Sequence, residues 1–504
     1  MQTDALLQAP PQRRKRIATD KDADRRRELG QFLTPDPVAK FMASLFRTHD
    51  RDVHLLDAGA GAGALSIALV RHFCRQPRPP ERISLTAFEI DPILLPLLTI
   101  TLEQCKKECR EAGIQFSATV FSENFIKTAT AMVGRDLFAI SPLRFNAAIV
   151  NPPYRKIRGD SSERRLLRRV GIEASNLYTG FVTLITRLLT GGGELVGITP
   201  RSFCNGPYFK PFRAEFLETM ALQQLHVFES RTAAFKKDNV LQENVIFHAV
   251  KGTSKPDNVI ISSSSGQPGG EVSERGMKYT SLVNPDDPEQ FIHLTVNDSQ
   301  ARARLAIGQL SASLSELDLS VSTGRVVDFR AREFLRDHPG QNSVPLVYPC
   351  HFNGGFVHWP KGKSRKPNAI ECNDITRGLL VPAGVYVLVK RFSPKEGPRR
   401  IVACIWDSGQ VPAALVGFEN HLNYFHINGC GMSLPLARGL AAFLNSTVLD
   451  IYFRQFNGHT QVNATDLRNL KYPTKTQLER IGHKICKFEL PREGLDPIVE
   501  IELF

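Results

Sequence analysis

Short apolar runs alternate with helix-like patterns through the first half of the chain. Apolar stretches predict strands at Val53–Ala58, Ile83–Ile90, Phe116–Phe121, Phe145–Val150, Glu194–Ile198, Leu225–Phe228 and Asn244–Val250. Amphipathic spacing predicts helices over Ala64–Phe73, Leu94–Cys109 and Leu177–Leu189. Apolar strands that alternate with helices are typical of a parallel, doubly wound sheet. We therefore expect an α/β, Rossmann-like domain.

The pattern divides the chain into four parts. Residues 1–28 are polar and basic, which predicts an arm outside the core, and residues 29–250 carry the α/β pattern. Residues 251–300 are rich in Ser, Gly and Pro, which predicts a linker or surface excursion. Residues 301–504 mix short apolar runs with Gly, Pro and aromatic residues. This part is expected to form a separate, mixed α+β domain, but its topology does not follow from the pattern.

The composition of the chain predicts the kind of binding partner and the cellular compartment. The 504 residues hold 64 Lys and Arg against 51 Asp and Glu, a formal net charge of +13 that favours a polyanion such as nucleic acid. The basic N-terminus leads into no long apolar run, and no run reaches the ~20 residues that a membrane span needs. Nine scattered cysteines form no CxxC framework. These features predict a soluble, cytoplasmic protein with no membrane partner, no disulfide scaffold and no bound metal.

A glycine cluster is the first candidate for a binding site. Gly59, Gly61 and Gly63 follow the first predicted strand and precede a helix. Such a turn presents backbone N–H groups and allows close approach of a cofactor. Glu89 ends the next predicted strand, where a carboxylate can bind two ribose hydroxyls. These residues predict a nucleoside cofactor, and by themselves leave both NAD and S-adenosylmethionine open.

The sequence Asn151-Pro152-Pro153-Tyr154 selects between these cofactors. It follows a strand at the sheet edge where open α/β folds bind ligands. Two prolines stiffen the backbone and remove two donors, so an amide oxygen and a carbonyl oxygen are free to accept. That pair forms a receptor for an exocyclic amino group, and the tyrosine ring can stack on its heterocycle. A methyl transfer to that amine, with S-adenosylmethionine as donor, is therefore expected.

At this point the sequence resembles a known family. Gln31-Phe32-Leu33-Thr34-Pro35, DAGAGAGALSIAL at 57–69, FEIDP at 88–92 and NPPY at 151–154 resemble the ordered motifs of amino-group DNA methyltransferases. Their order is similar to that of the gamma group, typified by the TaqI enzyme. The stretch 457–468 (NGHTQVNATDLR) resembles restriction-modification adenine methyltransferases of the PstI and BsuBI kind. The resemblance implies a methyltransferase domain at 29–250 and a target recognition domain at 301–504.

The resemblance also assigns roles to individual residues. It implies cofactor-binding roles for Thr34, Pro35, Asp57, Gly59, Gly61, Glu89, Ile90, Asn124 and Phe125. It implies that Asn151, Pro152, Pro153, Tyr154 and Phe235 hold the target base. Where the family usually has Asp-Phe, this chain has Asn124-Phe125, and the amide oxygen of Asn124 is expected to accept from the cofactor adenine. Phe235 is expected to stack on the second face of the target base, with a core role as the alternative.

Basic side chains form two candidate DNA contacts. The run 155–169 follows NPPY and carries seven cations against two acids. From this run and a second basic cluster, the expected DNA-binding residues are Arg155, Lys156, Arg158, Arg164, Arg165, Lys390 and Arg391. The alternative for the run 155–169 is a solvated helix face. His459 has no Cys or carboxylate at ligand spacing, so metal binding is not expected there.

Taken together, the resemblance implies a prokaryotic enzyme that methylates N6 of a flipped-out adenine in double-stranded DNA. It further implies a separate cognate restriction endonuclease, without a stable complex, a monomeric state and a six-base palindrome, CTGCAG, as the candidate site. Three other functions are weighed against this one. Methylation of cytosine N4 uses the same receptor but usually Ser at the first position, and methylation of a protein glutamine would not need a basic C-terminal domain. A non-catalytic DNA specificity subunit would not need the NPPY residues.

Overall fold

The structure is a computed structural model. It describes residues 34–48, 50–134, 143–228, 243–264, 271–294, 298–362, 365–394, 397–456, 461–485 and 492–503. The chain divides into two compact units, Met1–Val296 and Asn297–Phe504. No helix within the described ranges is long and apolar enough to cross a membrane.

The first unit is built on a nine-stranded sheet. Its strands are β1 (Asp52–Asp57), β2 (Arg82–Phe88), β3 (Gln115–Phe121), β4 (Phe145–Val150), β5 (Leu189–Pro200), β6 (Met220–Phe228), β7 (Asn244–Lys251), β8 (Asn258–Ser264) and β9 (Val272–Lys278). They lie in the order β3-β2-β1-β4-β5-β7-β6-β8-β9. The first five strands are mutually parallel, with Asp57 beside Ala87 and Val150 beside Gly197. The carboxyl ends of β1, β2 and β4 therefore meet at one edge.

Helices cover both faces of this sheet, as expected for a doubly wound fold. They are α1 (Asp36–Ser44), α2 (Ala64–Cys74), α3 (Leu95–Glu111), α4 (Phe125–Val133), α5 (Ser162–Arg169), α6 (Leu177–Leu188), α7 (Lys210–Thr219) and α8 (Tyr279–Leu282). Alternate strand residues enter separate cores: Leu55 packs with α1, α2 and α3, whereas Leu56 packs with α4, α6 and α7. This confirms the predicted α/β class.

Two strands are antiparallel to their neighbours, and one of them, β7, is a strand that the sequence pattern predicts to be parallel. β7 lies between β5 and β6 and is antiparallel to both, and β9 is antiparallel to β8. The predicted all-parallel sheet is therefore a mixed sheet. Apolar strands that are buried on both faces look alike in either direction, so the pattern does not specify the direction of β7.

The segment 251–300 is not a linker, contrary to the prediction from its composition. Its described residues up to Leu294 belong to the first unit and supply β8 and β9, the last two strands of the sheet. Its serines are used inside the sheet: Ser263 bonds to Ser273 at 2.8 Å, and Ser262 bonds to His226 at 3.0 Å. Because these serines form hydrogen bonds between strands, β8 and β9 have the polar composition of a surface loop although both are regular strands.

The second unit contains two smaller sheets and seven helices among its described residues. The helices are α9 (Asp298–Gln309), α10 (Asp328–Ala331), α11 (Leu434–Leu444), α12 (Thr447–Phe456), α13 (Ala464–Arg468), α14 (Lys475–Lys484) and α15 (Arg492–Leu503). The strands are β10 (Ser320–Thr323), β11 (Leu335–Arg336), β12 (Ser343–Val347), β13 (Phe352–Asn353), β14 (Phe356–Val357), β15 (Ala369–Glu371), β16 (Leu380–Pro382), β17 (Val385–Lys390), β18 (Ala403–Asp407), β19 (Leu415–Phe418) and β20 (Leu422–His426). The sheet orders are β10-β20-β17-β18-β14-β13 and β11-β15-β12-β19-β16. This is the mixed α+β class that the sequence predicts.

Candidate active site

The glycine turn after β1 has the backbone geometry that its composition suggests. Gly61 and Gly63 have φ values of 56° and 83°, in the left-handed region that favours glycine. A Cβ on Gly63 would lie 2.8 Å from the side chain of Thr101, so α3 packs too closely for any other residue. The turn thus brings its backbone N–H groups to the carboxyl edge of the sheet.

Glu89 ties this turn to the end of β2. One carboxylate oxygen accepts from the Gly61 N–H and the other from the Asp91 N–H, each at 2.7 Å. The side chain is buried, and burial raises the pKa of Glu89 above its ordinary value, against the lowering by these two N–H groups. These two hydrogen bonds hold the carboxylate at the end of β2, beside the glycine turn.

Asp57 lies beneath the turn. It was expected to line the cofactor site, but its carboxyl group is fully buried and accepts from the Ser66 hydroxyl at 2.7 Å, at the start of α2. Burial is the main cause that raises the pKa of Asp57 to about 7. The side chain supports the turn from behind.

The buried carboxyl group of Asp57 predicts that the stability of the folded protein depends on pH. The folded chain holds a proton on Asp57 between its ordinary pKa of 3.8 and about 7, so stability falls as the pH rises through that window. In Asp57→Asn this titration is absent, and we expect the fall in Tm between pH 5 and 8 to shrink by roughly 5 °C. Thermal melting of both proteins checks this, with the exposed Asp160→Asn as control. Equal slopes for wild type and Asp57→Asn would contradict it.

A cavity of about 260 Å³ opens above the glycine turn. Among the described residues it is lined by Ala58, Gly59, Gly61, Phe88, Glu89, Ile90, Leu94, Glu123, Asn124, Phe125, Ile126, Asn151, Pro153, Arg155, Glu163, Leu177 and Phe181. Ile90 and Phe125 offer apolar walls next to the Glu89 carboxylate, and Phe181 lies 5.0 Å from Phe125, ring centre to ring centre. A flat heterocycle joined to a sugar diol matches this arrangement.

Asn124 faces the cavity as the N-cap of α4. Its side-chain oxygen accepts from the Ile126 N–H at 2.9 Å. The oxygen that was expected to serve the cofactor adenine therefore already carries one bond, although an amide oxygen has a second lone pair. The capping bond determines which end of this amide is the oxygen.

The NPPY corner lies against the glycine turn. A Cβ on Gly59 would stand 3.8 Å from the backbone oxygen of Asn151, so a side chain there would fill the space between turn and corner. Asn151 and Pro153 line the cavity, and Pro152 is buried behind them. The side-chain nitrogen of Asn151 donates to the Thr34 hydroxyl at 3.0 Å.

Tyr154 is turned partly inward. Its hydroxyl lies 2.8 Å from the Asn151 side-chain oxygen and 3.2 Å from the Ile198 carbonyl oxygen, and it donates to these acceptors. Its ring is partly buried and meets Tyr178 edge-on, with centres 6.3 Å apart. Burial raises the pKa of Tyr154, so the phenol stays protonated at neutral pH.

Three other expected site residues have different outcomes. Thr34 and Pro35 lie just before α1, outside the lining of the cavity, and Pro35 is its N-cap. Phe235, the expected second stacking ring, lies outside the described residues.

The basic run after the corner forms α5 and its approach. Arg155 lines the cavity and pairs with Glu163 at 3.5 Å, while Arg164 pairs with Glu173 at 3.6 Å. Arg158 and Arg165 are exposed. Lys156, also exposed, pairs through its backbone with Asn176.

In the second unit, Lys390 is the last residue of β17 and Arg391 follows it. The Lys390 ammonium lies 5.4 Å from the centre of the Phe352 ring, and Arg391 lies 5.9 Å from that of Phe392. Phe392 is 43% exposed. Lys390 and Arg391 are each partly exposed, and their contact with DNA stays a prediction.

Several cavity residues escaped the sequence reasoning. They are Leu94, Glu123, Glu163, Leu177 and Phe181. Leu177 and Phe181 belong to a helix that the pattern predicts, but the face that α6 turns to the cavity depends on tertiary packing. Glu163 lies within the basic run, where its role as partner of Arg155 has no sequence signal.

A Rossmann-like sheet whose glycine turn, strand-end acid and NPPY corner share one cavity defines an S-adenosylmethionine-dependent methyltransferase. The chain is 43% identical over 482 residues to the type II methyltransferase M.PstI of Providencia stuartii, across 96% of this chain and 94% of that protein. It is also 43% identical over 480 residues to M.BsuBI of Bacillus subtilis, across 94% and 92% of the two chains. It therefore belongs to the type II methyltransferases of restriction-modification systems.

A family model and a solved structure are also similar to this chain. A family model described as Eco57I restriction-modification methylase matches residues 88–235. Among solved structures, the type IIG restriction endonuclease BpuSI aligns with 96% of this chain and 65% of its own, at 15% identity and a TM-score of 0.45. The cofactor of this enzyme is S-adenosylmethionine, and the chemistry of the cavity fits it: the Glu89 carboxylate would suit a ribose diol, and the apolar side chains of Ile90 and Phe125 would suit a flat ring.

Proposed function

We propose that this methyltransferase transfers a methyl group to N6 of an adenine in double-stranded DNA. The observation that carries the proposal is the shared cavity of the glycine turn and the NPPY corner, with Gly59 beside the Asn151 backbone. An amine held at that corner would lie next to the methyl donor bound at the turn. Asn151, rather than serine, stands at the first position of the motif.

The corner would act on the amine by orientation and electrostatics. Adenine N6 is a poor nucleophile because its lone pair is delocalised into the ring. The Asn151 side-chain oxygen and the Pro152 carbonyl oxygen would accept its two N–H groups and localise that lone pair. S-adenosylmethionine, when bound, supplies an electrophilic sulfonium methyl. The nitrogen would form a bond to the methyl carbon as the carbon–sulfur bond breaks with its electrons on sulfur, and one N–H proton would leave to solvent.

The target adenine must leave the duplex, because the amine is inaccessible within the base stack. Stacking on an aromatic ring contributes about 1–3 kcal/mol and offsets part of the unstacking cost. Tyr154 is the proposed stacking ring on one face, and Phe235 on the other. Tyr154 lies next to Pro153 of the cavity lining without lining the cavity itself, and its ring is partly buried and held by its hydroxyl.

We further propose that residues 301–504 recognise the target sequence and that the DNA backbone contacts α5 and the Lys390–Phe392 cluster. Arginines and lysines without buried partners are suited to phosphate contacts. The enzyme is proposed to act as a monomer and to protect DNA from a separate endonuclease, with which it forms no stable complex.

The basic run should set part of the salt dependence of DNA binding. Arg165 and Arg169 are the exposed choice for charge reversal, because Arg164 and Arg168 pair with Glu173. If both arginines contact phosphates, the double variant Arg165→Glu, Arg169→Glu should bind DNA with a weaker salt dependence. The negative slope of log K against log salt should become less steep by about 2. Equilibrium binding at several salt concentrations checks this. The control, Lys106→Glu with Arg110→Glu on α3, changes the net charge equally, and an equal effect of both pairs would contradict a specific contact.

Expression in a methylation-free bacterial host, followed by single-molecule sequencing of its DNA, tests the function as a whole. We expect N6-methyladenine at one recognition sequence, with CTGCAG as the candidate. N4-methylcytosine at a fixed site would show that the corner holds cytosine. If the DNA stays unmodified although the protein binds the cofactor, the protein would instead be a specificity subunit.

A further inference from the structure

The amide of Asn151 is held from both sides. Its nitrogen donates to the Thr34 hydroxyl at 3.0 Å, and its oxygen lies 2.8 Å from the Tyr154 hydroxyl. Thr34 stands 117 positions before Asn151 in the chain, so the fold brings this contact together. Each hydroxyl restricts the rotation of the amide about its terminal bond.

The orientation of this amide decides what it can bind. The oxygen end accepts, whereas the nitrogen end has only donors. If the amide rotated by half a turn, its N–H groups would face the N–H groups of the target amine. A partner that accepts from the nitrogen end therefore keeps the oxygen end in the place where an amine is bound.

Thr34 is well placed for this task. It precedes Pro35, and a residue before proline is confined to extended backbone. Pro35 caps α1, whose residues Val38 and Met42 are buried in the core. The Pro35 carbonyl accepts from the Ala39 N–H at 2.9 Å, which joins this segment to the helix.

We propose that Thr34 is a positioning residue for methyl transfer, because its hydroxyl accepts from Asn151 and orients that amide toward the target amine. This differs from the cofactor contact that the sequence resemblance implies, since Thr34 lies outside the lining of the cavity. The proposal rests on the proposed function of Asn151. Tyr154 is a less specific probe of the same effect, because its hydroxyl also reaches the Ile198 carbonyl.

The test compares Thr34→Val, which keeps the shape and removes the acceptor, with Thr34→Ser, which keeps the hydroxyl. We expect Thr34→Val to lower the single-turnover rate of methyl transfer by about tenfold. Its affinity for S-adenosylhomocysteine and for DNA should stay within about twofold, and Thr34→Ser should recover most of the rate. Thr34→Ala gives the same comparison without a β-branched methyl, should Thr34→Val fold poorly. The exposed Thr99→Val is the matched control.

Three results would overturn the proposal. Loss of S-adenosylhomocysteine affinity in Thr34→Val and Thr34→Ala would mean that Thr34 contacts the cofactor. An unchanged rate in both would mean that Asn151 needs no such partner, and an equally slow Thr34→Ser would mean that packing, not the hydroxyl, matters. Failure of the proposed function is distinct, because the wild type itself would then form no N6-methyladenine.

Discussion

Asn151→Ala should lower the rate of methyl transfer by about a thousandfold, the largest effect of a single substitution in this enzyme. The substitution removes one of the two acceptors that are proposed to localise the lone pair of the target amine. This interaction strengthens as the nitrogen becomes tetrahedral, so its loss affects the rate of the chemical step more than binding. The Glu89–Gly61 contact that forms the cofactor side of the cavity stays in place.

Single-turnover methylation of unmodified DNA measures this effect, and calorimetry with S-adenosylhomocysteine measures cofactor binding. We expect cofactor affinity to remain within about threefold of wild type, because Asn151 is proposed to bind the amine rather than the donor. Asn258→Ala, at an exposed position in β8, is the matched control. A variant that loses cofactor binding and rate together would contradict the assigned role.

The second large effect is expected at Glu89. Glu89→Ala should weaken S-adenosylhomocysteine binding by about a hundredfold, because charge-assisted hydrogen bonds to the ribose hydroxyls are lost. Glu89→Gln should be nearly as weak. Both carboxylate oxygens accept from backbone N–H groups at 2.7 Å, so the side-chain NH₂ of glutamine would face either the Gly61 or the Asp91 donor.

Calorimetric titration with S-adenosylhomocysteine distinguishes these outcomes. Glu111→Gln, at an exposed position in α3, controls for loss of charge. If Glu89→Gln bound the cofactor as tightly as wild type, the two backbone contacts would not determine the orientation of this side chain, and its role as a fixed acceptor would be wrong.

Much of the first unit could be predicted because its signals are local. β1, β2, β3 and β4 are short apolar runs, and each lies within a few residues of its predicted bounds. The glycine turn combines two positive φ values with a close contact to Thr101, and only glycine meets both demands. The stiff corner after β4 likewise follows from two prolines in succession.

The rest depends on contacts between distant residues. Ser262 and Ser263 give a linker-like composition to β8, but their hydroxyls bond to neighbours in the sheet. Asp57 looks like a site residue in the sequence, and only the fold shows it buried beneath the turn. Among the described residues of the second unit, runs of two to six residues make eleven strands, and such runs do not specify their pairing.

The central claim is that the corner holds an extruded adenine by its amine beside the methyl donor. A structure of the enzyme with its DNA site and S-adenosylhomocysteine tests this most directly. We expect the target adenine outside the helix, with N6 within hydrogen-bond distance of the Asn151 side-chain oxygen and the Pro152 carbonyl oxygen. An adenine that stays stacked in the duplex, or a cytosine amine at the corner, would contradict the account.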